Sequence, residues 1–481
     1  MKTTNWLSPL WGLSLVALSC SNPAWSADSE FDLSASFEGR YFLDDPLQSE
    51  QDDSGVNFSL AIAPEYYLEW ERGGEEQSFT FEGFVRIDQH DDRRTHGDIR
   101  EAYWHSVGES IEIRAGIRRV FWGVTESAHL VDIINQTDGV ENLDGEDKLG
   151  QPMLNIAWVT DFGTVDFFFL PYFRERTFPG PEGRLRPFLN VETDDTVYED
   201  DAEERHNDFA VRWANSLGGW DIGLSFFKGT AREPRLLFAI DDIQINGDPP
   251  PNCVLSTVPL LGPLLNGLVP VLAPNCEDFV TIQAINPHLV PAYDQIEQSG
   301  LELQYLTGGW FLKLEAIHYS SRVQSFTAVA TGFEYTWGAP FQTAIDISLI
   351  GEYLYDDRGA LDPNSAQGQA IRKFIAGEDF TAEEASGLQN LEPQSYSPFQ
   401  DDVFIGSRLA LNDVQSTELL AGVILDRESD AWLGTIEASR RLGENWKASI
   451  ELRTFQDIEV TDPLYSVSED SHVQLELTRY F

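Results

Sequence analysis

Three cysteines, two methionines and 32 basic residues are all that this 481-residue sequence holds of those types, and each scarcity closes off a class of function. Against 80 acidic residues those 32 leave a formal net charge of −48. A chain so acidic repels phosphate backbones, which excludes nucleic acid as a partner. So few cysteines cannot build a disulfide-dense scaffold. None stands in a C-x-x-C-H haem-attachment motif or at zinc-ligand spacing. Beyond the amino terminus, no stretch reaches the roughly 18 apolar residues a membrane helix needs. The eight histidines are scattered, and no G-x-S-x-G elbow, H-E-x-x-H pair or P-loop occurs. Neither an enzyme nor a bound cofactor or metal is therefore expected.

What the sequence does hold begins with a leader. Lys2 supplies a short basic region, residues 7–18 an apolar one, and Ala24-Trp25-Ser26 a small-residue cleavage site. Positions 1–26 thus read as a secretory signal peptide, and 27–481 as the mature chain. Lipidation of Cys20 is the alternative, although Ala17-Leu18-Ser19 fits a lipobox poorly. In an exported chain the two remaining cysteines, Cys253 and Cys276, are expected to form a disulfide worth about 3 kcal/mol by loop entropy.

Aromatics are plentiful: 30 Phe, 15 Tyr and 13 Trp. They fall into a period-2 pattern that fills the mature chain. Over positions 56–70, Phe58, Leu60, Ile62, Tyr66, Leu68 and Trp70 share one face. Asn57, Ser59, Ala61, Glu65, Tyr67 and Glu69 share the other. Such segments predict about 18 strands, most of about 8 to 12 residues, the length of a tilted strand crossing a bilayer. The connections alternate between tight, as at Glu71-Arg72-Gly73-Gly74, and long, near 124–151, 175–204, 229–295 and 356–401. Trp70, Trp158, Trp220, Trp310, Trp337 and Trp446 fall near strand ends, as in the aromatic girdles of membrane barrels. The expected fold is all-β: a transmembrane antiparallel barrel with short periplasmic turns and long extracellular loops. Strand signals begin near Phe31, so a plug before the first strand is not expected.

The last segment, His472-Val-Gln-Leu-Glu-Leu-Thr-Arg-Tyr-Phe481, alternates apolar residues and ends in Tyr480 and Phe481. It resembles the carboxy-terminal signal of bacterial outer-membrane barrels, and Arg479 departs from that pattern. The resemblance implies the barrel assembly machinery as a partner. A second resemblance lies in Arg114-Ala-Gly-Ile-Arg-Arg-Val-Phe-Trp-Gly123 and Val131-Asp132-Ile-Ile-Asn135. These are similar to stretches of bacterial outer-membrane porin-like barrels, close to a poorly characterised proteobacterial group of unknown substrate. The resemblance implies a third loop folded into the lumen.

Such a loop would narrow a pore where wall cations face its carboxylates. The candidate constriction residues are Arg86, Arg114, Arg118, Arg119, Asp132, Asp144, Glu146 and Asp147. The alternative is an arginine ladder that balances carboxylates and stiffens the barrel. The inward faces also carry Arg212, Arg408, Arg453, Glu302, Glu315, Glu352, Glu418, Glu437 and Glu451. That mixture predicts a water-filled lumen without fixing its ion selectivity. The acidic loop Glu192 to Asp208 reads as a solvated face rather than a divalent-cation site.

Together these readings predict an outer-membrane channel of a Gram-negative bacterium for diffusion or selective uptake of small hydrophilic solutes. Its surroundings would be outer-membrane lipid and lipopolysaccharide, and a homo-oligomer is compatible. The alternatives are an export or handover conduit working with periplasmic or inner-membrane partners, and, less favoured, an outer-membrane hydrolase or adhesin.

Overall fold

The computed structural model describes residues 27–246, 255–259, 268–272, 281–376 and 399–481. The leader 1–26, Cys253 and Cys276 lie outside these residues. Eighteen strands form one sheet. The first six are β1 (Ala27–Phe42), β2 (Val56–Arg72), β3 (Glu75–Asp88), β4 (His96–Val107), β5 (Ile111–Arg118) and β6 (Gln151–Thr160). Next come β7 (Gly163–Leu170), β8 (Asp208–Leu217), β9 (Trp220–Thr230), β10 (Gln295–Thr307), β11 (Trp310–Ser320) and β12 (Ser325–Trp337). The last are β13 (Asp346–Asp356), β14 (Asp401–Ala410), β15 (Glu418–Asp426), β16 (Trp432–Arg441), β17 (Trp446–Gln456) and β18 (His472–Tyr480). Each pairs antiparallel with the next. β18 then pairs with β1, Tyr480 opposite Ser34 and His472 opposite Phe42. The sheet is therefore a closed barrel.

Period 2 sorts the side chains. On β2, Phe58 and Leu60 are each 45% exposed on the outside, whereas Ser59 and Ala61, each the next residue along, are buried inside. The same holds for Leu224 on β9, Leu312 on β11, Ile405 on β14 and Ile450 on β17, all exposed outward. A continuous apolar outer wall of this kind is far larger than a water-facing surface tolerates. Two aromatic belts bound it. Trp158, Trp220, Trp310, Trp337 and Trp446 lie exposed at the end with the tight turns. Tyr41, Phe58, Phe169, Phe209 and Tyr355 lie exposed at the end with the long loops. Phe58 and Trp70 are separated along β2 by about 40 Å of strand at about 3.3 Å per residue, or about 30 Å along the barrel axis at a tilt of about 40°. That is the thickness of a bilayer's hydrocarbon core, about 30 Å.

The four long loops span 119–150, 171–207, 231–294 and 357–400, within a few residues of their expected limits. Three of them carry structure beyond irregular loop. In the loop after β9, Arg235–Asn246 pairs antiparallel with Thr281–Tyr293, and Val197–Tyr198 of the preceding loop adds a parallel edge. In Asp242-Ile243-Gln244-Ile245-Asn246 polar and apolar residues alternate, which is a strand signal. The loop after β13 contains α1 (Ala366–Ala376). Ser365 caps it by accepting from the Gly368 amide at 3.0 Å.

In lipid vesicles, Leu224→Arg at mid-wall should destabilise the barrel by about 2–4 kcal/mol, whereas Leu217→Arg beside a turn should cost less than about 1 kcal/mol. Denaturant unfolding in vesicles reads both values. Equal losses would place the apolar band away from the hydrocarbon.

Candidate functional site

The loop after β5, residues 119–150, does not leave the barrel: it crosses the lumen. The turn inward is made at Gly123, whose φ is +148°. A Cβ there would lie 2.8 Å from Nδ1 of His129, so only glycine fits. The two halves of the loop are held together by Asn135. Its side chain accepts from the Val120 amide at 2.8 Å and donates to the carbonyls of Arg118 and Leu149, each at 2.9 Å. Asp132 adds a contact to the Trp122 amide at 3.3 Å and an ion pair with Lys148 at 3.2 Å. The two short motifs around Trp122 and Asn135 are thus the two legs of one staple.

The far tip of the loop is tied to the opposite wall by two carboxylates. Glu315 on β11 is fully buried. One of its oxygens accepts from the amides of Val124 (2.6 Å) and Thr125 (2.9 Å) and from the Thr125 hydroxyl (2.8 Å). Glu352 on β13 accepts from the amides of Glu126 and Ser127, both at 2.8 Å, and from the Ser127 hydroxyl at 2.6 Å. Among the described residues neither carboxylate has an ion-pair partner. Aligned N–H and O–H donors hold each of them, and a hydrogen bond to a carboxylate is worth about 1.5–3 kcal/mol.

Between these anchors the loop buries an apolar face. Trp122, Val131 and Ile134 pack against Phe168, Leu170, Phe227, Ile296, Ile317 and Phe326 of the wall. A hydrophobic core therefore fills the lumen beside β6–β12. This departs from the uniformly water-filled interior expected from sequence. The inward positions there are apolar, so the wall reads apolar on both faces, as at Phe167, Phe168, Phe169 and Leu170.

The near side of the loop is bound by cations. Arg86 on β3 meets Glu141 at 2.7 Å and Glu38 at 3.1 Å. Arg94 meets Glu38 at 2.9 Å and Asp88 at 2.7 Å. Arg100 on β4 meets Asp138 at 2.6 Å, and His96 meets the same carboxylate at 3.1 Å. Burial alone would raise the Asp138 carboxyl, but the His96 bond and the Arg100 charge outweigh it and hold the group well below the ordinary carboxylate range. Ligand atoms of His96, Asp138 and Glu141 lie within 4.8 Å of one another, a spacing a metal ion could use. Arg86 and Arg100 already neutralise those carboxylates, so the arrangement reads as an ion-pair network.

The predicted constriction residues divide. Arg86 sits in this network. Asp132, Asp144 and Glu146 line a cavity of 800 Å³ between the loop and the wall. Asp144 meets Arg453 of β17 at 2.7 Å, and Glu146 meets His129 at 2.7 Å. Burial lowers the His129 pKa, but the bond to Glu146 outweighs it and raises the imidazole overall. Asp147 is exposed, its carbonyl accepting from the Asp138 amide at 2.8 Å. Arg114 and Arg118 line neither this cavity nor the one below it. They point at Asn155 of β6, each at 3.3 Å, and Arg114 also pairs with Glu112. Arg119 pairs with Glu82 on the same wall.

A second cavity of 380 Å³ lies nearer the tight-turn end, against β14–β18. The two cavities share Glu126, Leu420 and Glu437 in their walls. Arg408 of β14 reaches Glu126 at 2.6 Å, and Arg453 comes within 3.7 Å of Glu437. Alternation had placed Arg408 and Glu437 inward. The missing signal was which wall the loop would cover, because that depends on contacts nearly two hundred residues apart.

No known family profile and no curated protein matches the chain. Among solved structures it is similar to a BenF-like porin from Pseudomonas fluorescens Pf-5, at 10% identity over 95% of this chain and 98% of that one, TM-score 0.47. It is also similar to OccD3 (OpdP) of Pseudomonas aeruginosa, at 10% identity over 94% and 90%, TM-score 0.44. A third similarity is to OprB of Pseudomonas putida, at 12% identity over 94% of each chain, TM-score 0.41. The fold stands on the strand pairing described above.

Replacing Glu352 by Ala leaves the Glu126 and Ser127 amides without their acceptor. The loop tip should loosen by about 2 kcal/mol, a rise of about 30-fold in the exchange rate of those amides. Unchanged hydrogen exchange at Glu126 and Ser127 would show that the carboxylate does not hold the loop.

Proposed function

We propose that the chain is an outer-membrane channel through which small hydrophilic solutes diffuse. The observation that carries this reading is the pair of cavities meeting at Glu126 and Glu437 inside a closed, outwardly apolar barrel. A loop pinned across the lumen narrows the way without sealing it, and the open side is lined by charged groups that water solvates. Rings of charged side chains in such a waist set which solutes pass. In this reading Glu126, Arg408, Glu437 and Arg453 form the waist, together with Asp144 from the sequence-derived set.

The same reading covers the rest of the chain. Residues 1–26 serve as the export signal, and Cys253 and Cys276 form a disulfide in the longest outer loop. The tight-turn end faces the periplasm and the long loops face outward among lipopolysaccharide. Tyr480 and Phe481 present the segment read by the barrel assembly machinery. The departure at Arg479 has a local rationale. Its guanidinium lies 5.4 Å from the Trp446 ring and 4.5 Å from that of Phe481, within the tight-turn aromatic belt. Cation–π contact and snorkelling to the interface suit a charge there.

Purified protein placed in planar bilayers should give discrete conductance steps. Membranes that stay silent under varied voltage and salt, with folded protein inserted, would overturn the channel reading.

A further inference from the structure

Basic groups are unevenly distributed inside the barrel. Arg40, Arg86, Arg94 and Arg100 are all buried at the root of the third loop and bound to carboxylates there. They contribute no free positive charge to the open side. The 380 Å³ cavity is lined by Glu126, Glu418, Glu437, Glu451 and Glu476 against only Arg408 and Lys447. Arg453 reaches down from the larger cavity, and Lys313 approaches Glu126 at 4.0 Å while meeting Glu334 at 3.4 Å, which leaves six carboxylates facing four cations. Arg408 is already engaged with Glu126.

Resting on the channel reading, we infer that this passage selects by charge. It passes small cations, and solutes carrying an ammonium or guanidinium group, in preference to anions. The physical basis is a length comparison. A cavity of 380 Å³ is about 9 Å across as a sphere, so its axis lies about 5 Å from the lining charges, inside the Debye length of about 8 Å at physiological ionic strength. Mobile ions therefore cannot screen the excess negative charge within it, and the low-dielectric wall focuses the field along the path. At about 1 M salt the Debye length falls to about 3 Å and most of that field is screened.

The test is the reversal potential of the intact protein in planar bilayers under a KCl gradient. At about 0.1 M salt, K⁺ should be favoured over Cl⁻ by about threefold or more, and the ratio should fall towards parity at about 1 M. The double change Glu418→Gln with Glu476→Gln should reduce the ratio by about half. Lys447→Glu should raise it, so a failure of either variant to fold leaves the other readable. A conducting pore that reverses at zero, or on the Cl⁻ side, at low salt would overturn the inference while leaving the channel intact. Silent membranes would overturn the channel reading itself, and this inference with it.

Discussion

A backbone amide or carbonyl left without a partner costs several kcal/mol in hydrocarbon, and the seam between β1 and β18 removes the last row of such groups from this sheet. Closure also fixes the meaning of every side chain. Once the ring is complete, one parity faces outward and the other inward along all eighteen strands. The exposed Phe, Leu and Ile of the outer wall are then tolerable in lipid, and the two aromatic belts mark where lipid would give way to water. The interior inherits the opposite problem: a wide lumen that some other part of the chain must furnish.

The third loop furnishes it, and how it stays in place is an electrostatic matter. A loop crossing a barrel carries amide N–H groups far from any strand of its own. Those at Val124, Thr125, Glu126 and Ser127 are satisfied by Glu315 and Glu352, acceptors that wall strands hold ready. Near the loop's root the signs reverse. There the loop brings the carboxylates of Asp138 and Glu141, and the wall supplies Arg86 and Arg100. Each end is matched to what the wall offers, and the apolar stripe of Trp122, Val131 and Ile134 seals the space between.

The barrel was legible in the sequence because its signal is local. Alternation, tight Gly turns and the aromatic carboxy terminus each occupy a few residues, and all eighteen strand segments were visible that way. The interior was legible only in part. The Trp122 and Asn135 motifs pointed to a special third loop, and Asp132, Asp144 and Glu146 do line the space beside it. Arg114 and Arg118 were singled out because they precede that loop in sequence. The loop bends away from them at Gly123, so the two cavities meet along the opposite wall, beside Arg408 and Glu437. Period 2 tells which residues face the lumen and not which of them the loop will cover. The apolar core beside β6–β12 went unread for the same reason. A strand such as β7, with Phe on both faces, carries no contrast between inside and outside until the loop that buries one face is known.

The division of the lumen follows from these placements taken together. An 18-strand barrel encloses an aqueous space if nothing fills it. Filling it evenly would seal the pore, and leaving it empty would let solutes pass by size alone. Here the loop leans to one side, because the larger part of its apolar face meets apolar wall along β6–β12 and most of its guanidinium partners stand on β1, β3, β4 and the turn between the last two, while Arg408 and Arg453 alone reach it from β14 and β17. The larger cavity is thereby bounded by strands from β10 to β17 and the smaller by β14–β18. The carboxylates needed to balance buried arginine are consumed at the loop's root, along with most of the nearby positive charge. On the far wall the carboxylates outnumber the cations beside them, so the surplus of negative charge and the open space coincide. That coincidence is a product of where the loop docks, and it would vanish if the loop packed against any other arc of the same barrel.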